Sequence, residues 1–360
     1  MNIIITGAFG FVGTNLSKAL KTQFENHLVA IDINEYSNNL FNEYHSWKDL
    51  EKVDWNKIDS VIHLAGKAHD TKNTSSSQDY FDINVGLTQK IFQHFLKSSA
   101  TKFIFFSSVK AVADSVTEDQ LTEAAVPCPK TPYGKSKLEA ERYILNELEK
   151  WREGEKEKGR RGEEEKGREE DEEAKGRLGD KAIEGGRDGE TERKGEYIDK
   201  KVYILRPCMI HGPGNKGNLN LLFKIQQKGL PWPLGAFENK RSFCSVDNIL
   251  FVVQQLIEKD IEPGIYQVTD DEALSTNELI KLMASSQNKK AKIWRIPAKM
   301  IKAFARMGDL MHLPLNSERL KKLTESYLVS NQKIKRALGI EKMPVSAEEG
   351  LRKTFESFNK

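Results

Sequence analysis

The stretch that decides the fold reads Ile3-Ile4-Ile5-Thr6-Gly7-Ala8-Phe9-Gly10-Phe11-Val12-Gly13. An aliphatic strand runs straight into a glycine turn, and a helical pattern follows. Small residues are needed where the strand turns and where the backbone meets a pyrophosphate, and the last glycine lets the helix pack close to the sheet. The helix N-terminus offers free N–H groups to an anion. The stretch therefore predicts a site for the phosphates of a dinucleotide.

An acidic residue follows this loop at the expected distance. Asp32 comes nineteen residues after Gly13, at the end of the second aliphatic run. A carboxylate in this position accepts hydrogen bonds from the adenosine ribose hydroxyls and repels a 2′-phosphate. The sequence therefore predicts NAD as the cofactor.

Short aliphatic runs alternate with helical patterns over most of the chain. The predicted strands are Ile3–Thr6, Leu28–Asp32, Ser60–Leu64, Phe103–Ser107, Val202–Arg206 and Ile265–Val268. The predicted helices cover about Phe11–Phe24, Tyr80–Leu96, Gly134–Leu148 and Val246–Ile257. Alternation of this kind predicts an α/β fold with one doubly wound parallel sheet. Beyond Asp271 the pattern is mostly helical, which predicts a smaller C-terminal domain for substrate.

A highly charged segment interrupts the pattern between residues 149 and 201. It holds sixteen basic and nineteen acidic residues and few large apolar ones. Such a segment buries too little surface to offset its ordering entropy, so we expect an insertion that is disordered or in part a solvated helix. Its recurring glycines argue against one long helix. The predicted division is a first nucleotide-binding part (1–148), the insertion (149–201), the end of the sheet with substrate loops (202–272) and a helical substrate domain (273–360).

A tyrosine and a lysine lie four residues apart in Tyr133-Gly134-Lys135-Ser136-Lys137. On a helix this spacing places both on one face. Free tyrosine is a poor base at neutral pH, but a neighbouring ammonium favours the phenolate, so Tyr133 is predicted to take a proton from a substrate hydroxyl. Ser108, at the end of the fourth predicted strand, is the candidate to polarise the reacting oxygen. The predicted catalytic residues are thus Ser108, Tyr133 and Lys137.

The TGxxGxxG spacing together with these residues resembles the extended short-chain dehydrogenase/reductase family, and within it the NAD-dependent epimerases and dehydratases. The resemblance implies a Rossmann-type fold. It also implies that Leu64, Ala65 and Gly66 form a small-residue turn beside the cofactor, with Asn84 near them. The implied cofactor-binding residues are Gly7, Gly10, Phe11, Val12, Gly13, Asp32, Leu64, Ala65, Gly66, Asn84, Tyr133, Lys137 and Pro207. Lys67 and His69 either approach the pyrophosphate or substrate, or are ordinary loop residues.

The substrate side carries the same resemblance with two departures. His211-Gly212-Pro213-Gly214 follows Arg206-Pro207 and is similar to a turn that usually begins with Tyr. Asn248 stands where the family usually has Asp. The implied substrate-binding residues are Ser108, Asn218 and Arg241, the last as a partner for a phosphate.

The residues after Ser108 bear on the reaction. Dehydratases of this family typically carry an acidic pair there, whereas this chain has Val109-Lys110-Ala111. The resemblance therefore implies an enzyme that epimerises C4 of a UDP-hexose or UDP-N-acetylhexosamine through a 4-keto intermediate. An NAD(P)H-dependent reductase of a UDP-4-keto-6-deoxy sugar and a non-catalytic NAD-binding regulatory protein remain alternatives.

The composition argues against several other classes. There are 56 Lys+Arg and 53 Asp+Glu, a net charge of +3, so no basic face for nucleic acid is expected. Three widely separated cysteines support neither a disulfide framework nor a metal site. With neither a signal peptide nor a membrane-inserting segment in evidence, the expectation is a cytoplasmic protein whose partner is a nucleotide sugar. Whether it forms a homodimer is left open.

Overall fold

A computed structural model describes residues 1–23, 26–33, 39–68, 76–116, 118–176, 199–215, 217–311 and 316–359. The strands are β1 (Asn2–Thr6), β2 (His27–Asp32), β3 (Glu43–Ser46), β4 (Ser60–His63), β5 (Lys102–Phe106), β6 (Lys201–Pro207), β7 (Met209–His211), β8 (Arg241–Ser245), β9 (Gly264–Val268) and β10 (Ala273–Leu274). The helices are α1 (Phe11–Gln23), α2 (Ser77–Asn84), α3 (Gly86–Lys97), α4 (Pro132–Gly176), α5 (Asn218–Gln227), α6 (Val246–Glu258), α7 (Thr276–Ser285), α8 (Ala298–Met311), α9 (Ser317–Thr324), α10 (Gln332–Leu338) and α11 (Ala347–Ser357).

Seven of these strands form one parallel sheet in the order β3-β2-β1-β4-β5-β6-β9. The chain moves outward from β1 to one edge and then returns to build the other half from β4. This is the doubly wound, Rossmann-type sheet that the sequence predicts. Ligands of such sheets bind at the carboxyl ends of the strands, where the order reverses between β1 and β4.

Both faces of the sheet are buried. Ile3 and Ile5 of β1 belong to one apolar cluster, which includes residues of α1 and α6. Ile4 belongs to a second cluster, which includes residues of α3 and α4. Side chains alternate between the faces of a strand, so each strand that is covered on both sides must be apolar throughout. This explains why the central strands appear in the sequence as continuous aliphatic runs.

Two elements of the first half differ from the prediction. The edge strand β3 was not predicted, because its sequence Glu-Tyr-His-Ser is polar and partly exposed. The single helix expected over Tyr80–Leu96 is two helices, α2 and α3, joined at Val85. At this junction the Thr88 hydroxyl donates to the Asn84 carbonyl oxygen (2.6 Å), a side-chain bond that commonly bends a helix.

The charged segment is helical over its first half. Helix α4 continues past Leu148 to Gly176, so the glycines in this part do not end it. Trp151 packs against the sheet cluster, and Arg152 donates to the Lys200 carbonyl oxygen. The sequence analysis expects disorder or a solvated helix over residues 149–201. Residues 177–198 of this segment lie outside the described residues.

The last two residues of the predicted insertion lie against the sheet. Lys201 begins β6, and Lys200 is buried with its ammonium donating to three carbonyl oxygens, those of Phe95, Ser98 and Ala100 (2.6–2.8 Å). These carbonyls lie in the last turn of α3 and just after it, so Lys200 satisfies groups that a helix end leaves without partners. Lys200, which the sequence analysis assigned to the solvated insertion, is therefore a buried part of the folded domain.

The C-terminal part is mostly helical, from α7 to α11. It also contributes to a small three-stranded sheet of order β10-β8-β7, which the sequence did not predict because its strands have two to five residues. Within the ranges given above, no helix combines the length and apolar character that crossing a bilayer requires. The division into domains stays a prediction.

Candidate active site

The glycine turn after β1 is closely packed. Gly7 has φ +65°, and a Cβ on it would lie 2.8 Å from the Ala65 nitrogen. A Cβ on Gly13 would lie 2.4 Å from the Gly7 carbonyl oxygen. Both positions therefore require glycine. Helix α1 begins at Phe11, directly after the turn, so its N-terminal N–H groups lie at the carboxyl end of β1.

Asp32 ends β2 beside this turn and is buried. One carboxylate oxygen accepts from the Phe9 N–H (3.0 Å), and the other accepts from the Ile33 N–H (2.7 Å). The carboxylate thus stabilises the turn as well as lying at the position predicted for ribose recognition.

The turn after β4 is fixed by Asn84. Its side-chain oxygen accepts from the Lys67 N–H (2.7 Å), and its amide donates to the Lys67 carbonyl oxygen and to the Ser136 hydroxyl on α4. A Cβ on Gly66 would lie 2.8 Å from the Asn84 side-chain oxygen and 3.0 Å from Lys137 Nζ. Asn84 therefore joins the small-residue turn to the helix that carries Tyr133. The Lys67 ammonium pairs with Asp79 (3.0 Å), while His69 lies outside the described residues.

His63, the last residue of β4, is a buried structural group. Its Nδ1 faces the Thr6 hydroxyl (2.6 Å) and its Nε2 faces the Thr88 hydroxyl (2.9 Å). The Thr88 hydroxyl proton is donated to the Asn84 carbonyl, so Nε2 carries the ring proton and Nδ1 accepts. Burial, and then the charge of Lys137, hold the pKa of His63 well below its usual range.

Tyr133 and Ser108 lie together at the carboxyl end of β5. Tyr133 is in the first turn of α4, and Ser108 begins a short 3₁₀ turn over Val109–Ala111. Burial raises the pKa of Tyr133, and a hydrogen bond with the Ser108 side chain opposes this effect. The sequence-based expectation that the Lys137 ammonium favours the Tyr133 phenolate stays a prediction.

Lys137 is buried one helical turn beyond Tyr133. Its ammonium donates to the Phe106 carbonyl oxygen (2.8 Å) at the end of β5 and lies 4.9 Å from the centre of the Phe105 ring. Burial lowers the pKa of Lys137 to about 8, and the charge of Glu141 acts in the opposite direction. Lys137 therefore lies near the border between charged and neutral forms at physiological pH.

Glu141, one further turn along α4, forms an ion pair that the sequence analysis missed. Arg206 of β6 donates to both carboxylate oxygens, from Nε at 2.9 Å and from Nη2 at 2.5 Å, and the Ser107 hydroxyl also donates to this carboxylate. One sequence signal could have indicated Glu141. It follows Lys137 by four residues, as Lys137 follows Tyr133, so all three lie on one face of the helix.

The two departures from the family pattern meet at one carboxylate. His211 Nε2 lies 3.3 Å from one oxygen of Asp270, and the Asn248 amide donates to the other (2.6 Å). His211 Nδ1 also faces the Thr354 hydroxyl on α11 (2.9 Å). All of these groups are fully or almost fully buried. His211 and Asn248 are therefore placed to hold the C-terminal part against β7 and β8.

The predicted substrate residues are less directly connected to Tyr133. Arg241 begins β8 and donates from Nε to the Glu325 carbonyl oxygen (3.2 Å). Its backbone pairs with Tyr327, whose hydroxyl donates to the Ala113 carbonyl oxygen (2.7 Å), just beyond the turn that follows Ser108. Tyr327 is thus a link between the two sides that the sequence did not indicate. The side chain of Asn218 lies outside the described part of the molecule.

The remaining cofactor residues surround the same edge of the sheet. Phe11 lies against the turn at Gly212, since a Cβ there would lie 3.4 Å from its ring. Pro207 ends β6 and is buried. Leu64 and Val12 pack on the apolar cluster that contains Ile3 and Ile5. A tight glycine turn, a helix N-terminus and a buried carboxylate at the end of β2 are the set that an adenine dinucleotide requires, so the residues fit this group. Among the residues with described positions, no cluster of three metal-ligating side chains occurs.

The chain is similar in sequence to known proteins. Residues 3–151 match the sequence profile described as "NAD dependent epimerase/dehydratase family". The chain is similar to the UDP-glucose 4-epimerase of Vibrio cholerae, with 26% identity over 99% of this chain and 95% of that protein. It is also similar to the N-acetyl-alpha-D-glucosaminyl-diphospho-ditrans,octacis-undecaprenol 4-epimerase of Escherichia coli O157:H7, with 24% identity over 82% of this chain and 75% of that protein.

Among solved structures, the fold is similar to the UDP-glucuronic acid 4-epimerase from Bacillus cereus in complex with NAD. The TM-score is 0.66, the identity is 18%, and the match covers 100% of this chain and 99% of that one. At this identity the likeness establishes the fold.

Proposed function

We propose that this chain, whose residues 3–151 match the NAD-dependent epimerase/dehydratase family, is an enzyme that uses NAD to invert the C4 hydroxyl of a UDP-hexose or UDP-N-acetylhexosamine through a 4-keto sugar. The names of relatives similar over most of the chain support action at C4 of a sugar carried on a diphosphate.

The observation that carries the proposal is the arrangement of Ser108, Tyr133 and Lys137. The Ser108 side chain lowers the pKa of the buried Tyr133 phenol against the upward effect of burial, and a buried ammonium lies one helical turn away. Ser108 follows the carboxyl end of β5, and Tyr133 and Lys137 lie on α4, beside the half of the sheet that begins at β4. An arrangement of this kind suits proton transfer at an oxygen whose carbon loses hydride.

The role of each side chain follows from its chemistry. NAD supplies a hydride acceptor and, in the second half of the reaction, the hydride donor. Tyr133 takes the proton of the C4 hydroxyl and later returns it. Ser108 donates a hydrogen bond to the same oxygen as it becomes a carbonyl oxygen. Lys137 stabilises the tyrosinate through its charge and holds the cofactor ribose.

The neighbouring residues favour epimerisation over dehydration. Loss of water needs an acid and a base beside the reacting carbons, and the turn after Ser108 carries Lys110, whose ammonium donates to the Asp114 carbonyl oxygen (2.8 Å). Asp32 at the end of β2 favours NAD over NADP, and a retained NAD suits an epimerase that returns the same hydride.

The test measures both the cofactor and the product. The purified protein is denatured to count released nucleotide per chain, and UDP-galactose, UDP-N-acetylgalactosamine and a UDP-4-keto-6-deoxy sugar are offered with and without NAD(P)H. We expect near-stoichiometric NAD and C4 inversion without added reductant. Release of little nucleotide, with oxidation of NAD(P)H by the keto sugar alone, would identify a reductase instead.

A pair of variants on α4 tests the base. Tyr133→Phe removes the phenolic oxygen and is expected to reduce turnover by ~100-fold or more while NAD stays bound. Tyr143→Phe is the matched control, because its hydroxyl accepts from Gln93 (2.8 Å), away from Ser108. Equal turnover in the two variants would show that Tyr133 is not the base, and NAD bound without any turnover in the wild type would indicate a regulatory protein.

A further inference from the structure

Helix α8 presents a second apolar face to solvent. Its buried side carries Ile301, Ala305 and Gly308, which pack inward. Its other side carries Met300, Phe304, Met307 and Met311, spaced by four, three and four residues and 47–60% exposed. This spacing places them in one stripe along the helix. A helix that is buried on one side and apolar on the adjacent exposed side has surface to bury against something else.

The chain leading into α8 extends this face. Trp294, 57% exposed, precedes the helix by four residues. Its N–H donates to the Trp232 carbonyl oxygen, and its own carbonyl accepts from the Gly235 N–H, so the segment is fixed by backbone bonds. The large exposed side chain is therefore held in place on an ordered ribbon beside the helix.

Basic residues accompany the apolar stripe. Between residues 289 and 308 there are seven lysines and arginines and no acidic residue. They are Lys289, Lys290, Lys292, Arg295, Lys299, Lys302 and Arg306, and all are exposed. Lys289, Lys290 and Lys292 also line an open cleft of about 460 Å³ with Leu230 and Trp232. Apolar side chains, a tryptophan and a basic border are the features of a helix that lies in a membrane interface.

We propose that this surface, formed by the exposed residues of segment 289–295 and of α8, docks the protein on an anionic lipid bilayer. Trp294, Phe304 and the methionines enter the headgroup region, and the lysines and arginines pair with lipid phosphates. A second copy of this chain is a poorer occupant, because a two-fold interface would bring the seven positive charges against the same seven. The proposal is independent of the reaction at Tyr133.

Sedimentation with vesicles tests the surface. The full-length protein is mixed with vesicles of phosphatidylglycerol and phosphatidylcholine in equal parts, or of phosphatidylcholine alone. We expect binding to the anionic vesicles and at least a ~10-fold loss of binding at high salt, since the phosphate contacts are screened. A double variant, Phe304→Glu with Met307→Glu, is expected to lose at least ~10-fold in binding because both side chains leave the interface.

Two controls separate this result from misfolding and from the reaction. Val126→Glu adds one negative charge, against two in the double variant, at an exposed apolar side chain elsewhere and is expected to keep vesicle binding. The Phe304/Met307 double variant is expected to keep the wild-type rate on a water-soluble UDP-sugar, which also shows that it folds. Equal vesicle binding by wild type and double variant would overturn the proposal. So would wild-type protein that ignores anionic vesicles, or a wild-type dimer that the double variant converts to monomers.

Discussion

Replacement of Arg206 tests the buried ion pair beside Lys137. The side chains of Arg206 and Glu141 are only 4% and 2% exposed, and two hydrogen bonds join them. Arg206→Met removes the cation but leaves the carboxylate buried, with the Ser107 hydroxyl as its remaining strong donor. Removing one partner of such a pair costs about 3–5 kcal/mol in the free energy of unfolding.

The double variant Arg206→Met with Glu141→Leu should recover part of this loss. Both charges are then gone, and replacing a buried pair by apolar side chains is often near neutral. The Ser107 hydroxyl loses its acceptor, which costs about 1–3 kcal/mol. The double variant is therefore expected to be about 2 kcal/mol more stable than Arg206→Met alone, from the difference between these two ranges.

Urea unfolding of the wild type, both single variants and the double variant gives the coupling between the two sites. If the two single losses simply add in the double variant, the ion pair does not act as a unit and the reasoning is refuted. The pH dependence of turnover provides a second readout. Loss of Glu141 removes the charge that raises the pKa of Lys137, so loss of the ammonium should shift to a pH below about 8.

Three further predictions concern other parts of the molecule. Gly66→Ala places a Cβ 2.8 Å from the Asn84 side-chain oxygen, so the affinity for NAD is expected to fall at least ~10-fold, a loss of about 1.4 kcal/mol in binding. Titration of nucleotide-free protein with NAD measures this loss, and an unchanged affinity would contradict the turn geometry. The wild type should lose stability below pH 6.5 relative to His63→Gln, because the lowered pKa of His63 means that the unfolded state binds a proton before the folded state does. The difference between their free energies of unfolding in urea is expected to change by about 1.4 kcal/mol per pH unit. A difference that does not depend on pH would be evidence against a neutral buried ring. A chain that lacks residues 159–198 should keep its midpoint of urea unfolding. A deletion of residues 149–200 should lower the midpoint, because it also removes Trp151 and Lys200, which pack on the body of the protein. Equal midpoints for the two deletions would show that this packing contributes little.

The central sheet could be predicted because its signal is local. Six of the seven parallel strands are apolar runs, and the glycine turn after β1 is specified by neighbours in sequence. Strand β3 could not be identified because an edge strand with one exposed face has no apolar run. The junction between α2 and α3 at Val85 was hidden because the helical pattern in the sequence continues across it.

The sequence identified the residues of the candidate site but not the contacts that they make. Ser108, Tyr133 and Lys137 follow from spacing, because one helix face and one strand end bring them together. Partners far apart in sequence carry no such signal: Arg206 lies 65 residues from Glu141, and Lys200 lies about 100 residues from the carbonyls that it binds. Lys200 looked like part of the solvated segment because composition does not report three-dimensional neighbours.

The contacts of Asp270 constrain which residues can replace His211 and Asn248. Each presents a donor to the same carboxylate, so Asn248→Asp alone, which restores the usual family residue, would set two acidic groups face to face in a buried space. The intermediate sequences between this chain and the common family pattern thus include unfavourable ones. A library that varies position 248 singly should return few folded members with an aspartate there, while one that varies positions 211, 248 and 270 jointly should recover that aspartate in selected combinations. Positions 211, 248 and 270 are therefore expected to vary together among folded sequences, although positions 211 and 270 lie 59 residues apart in sequence.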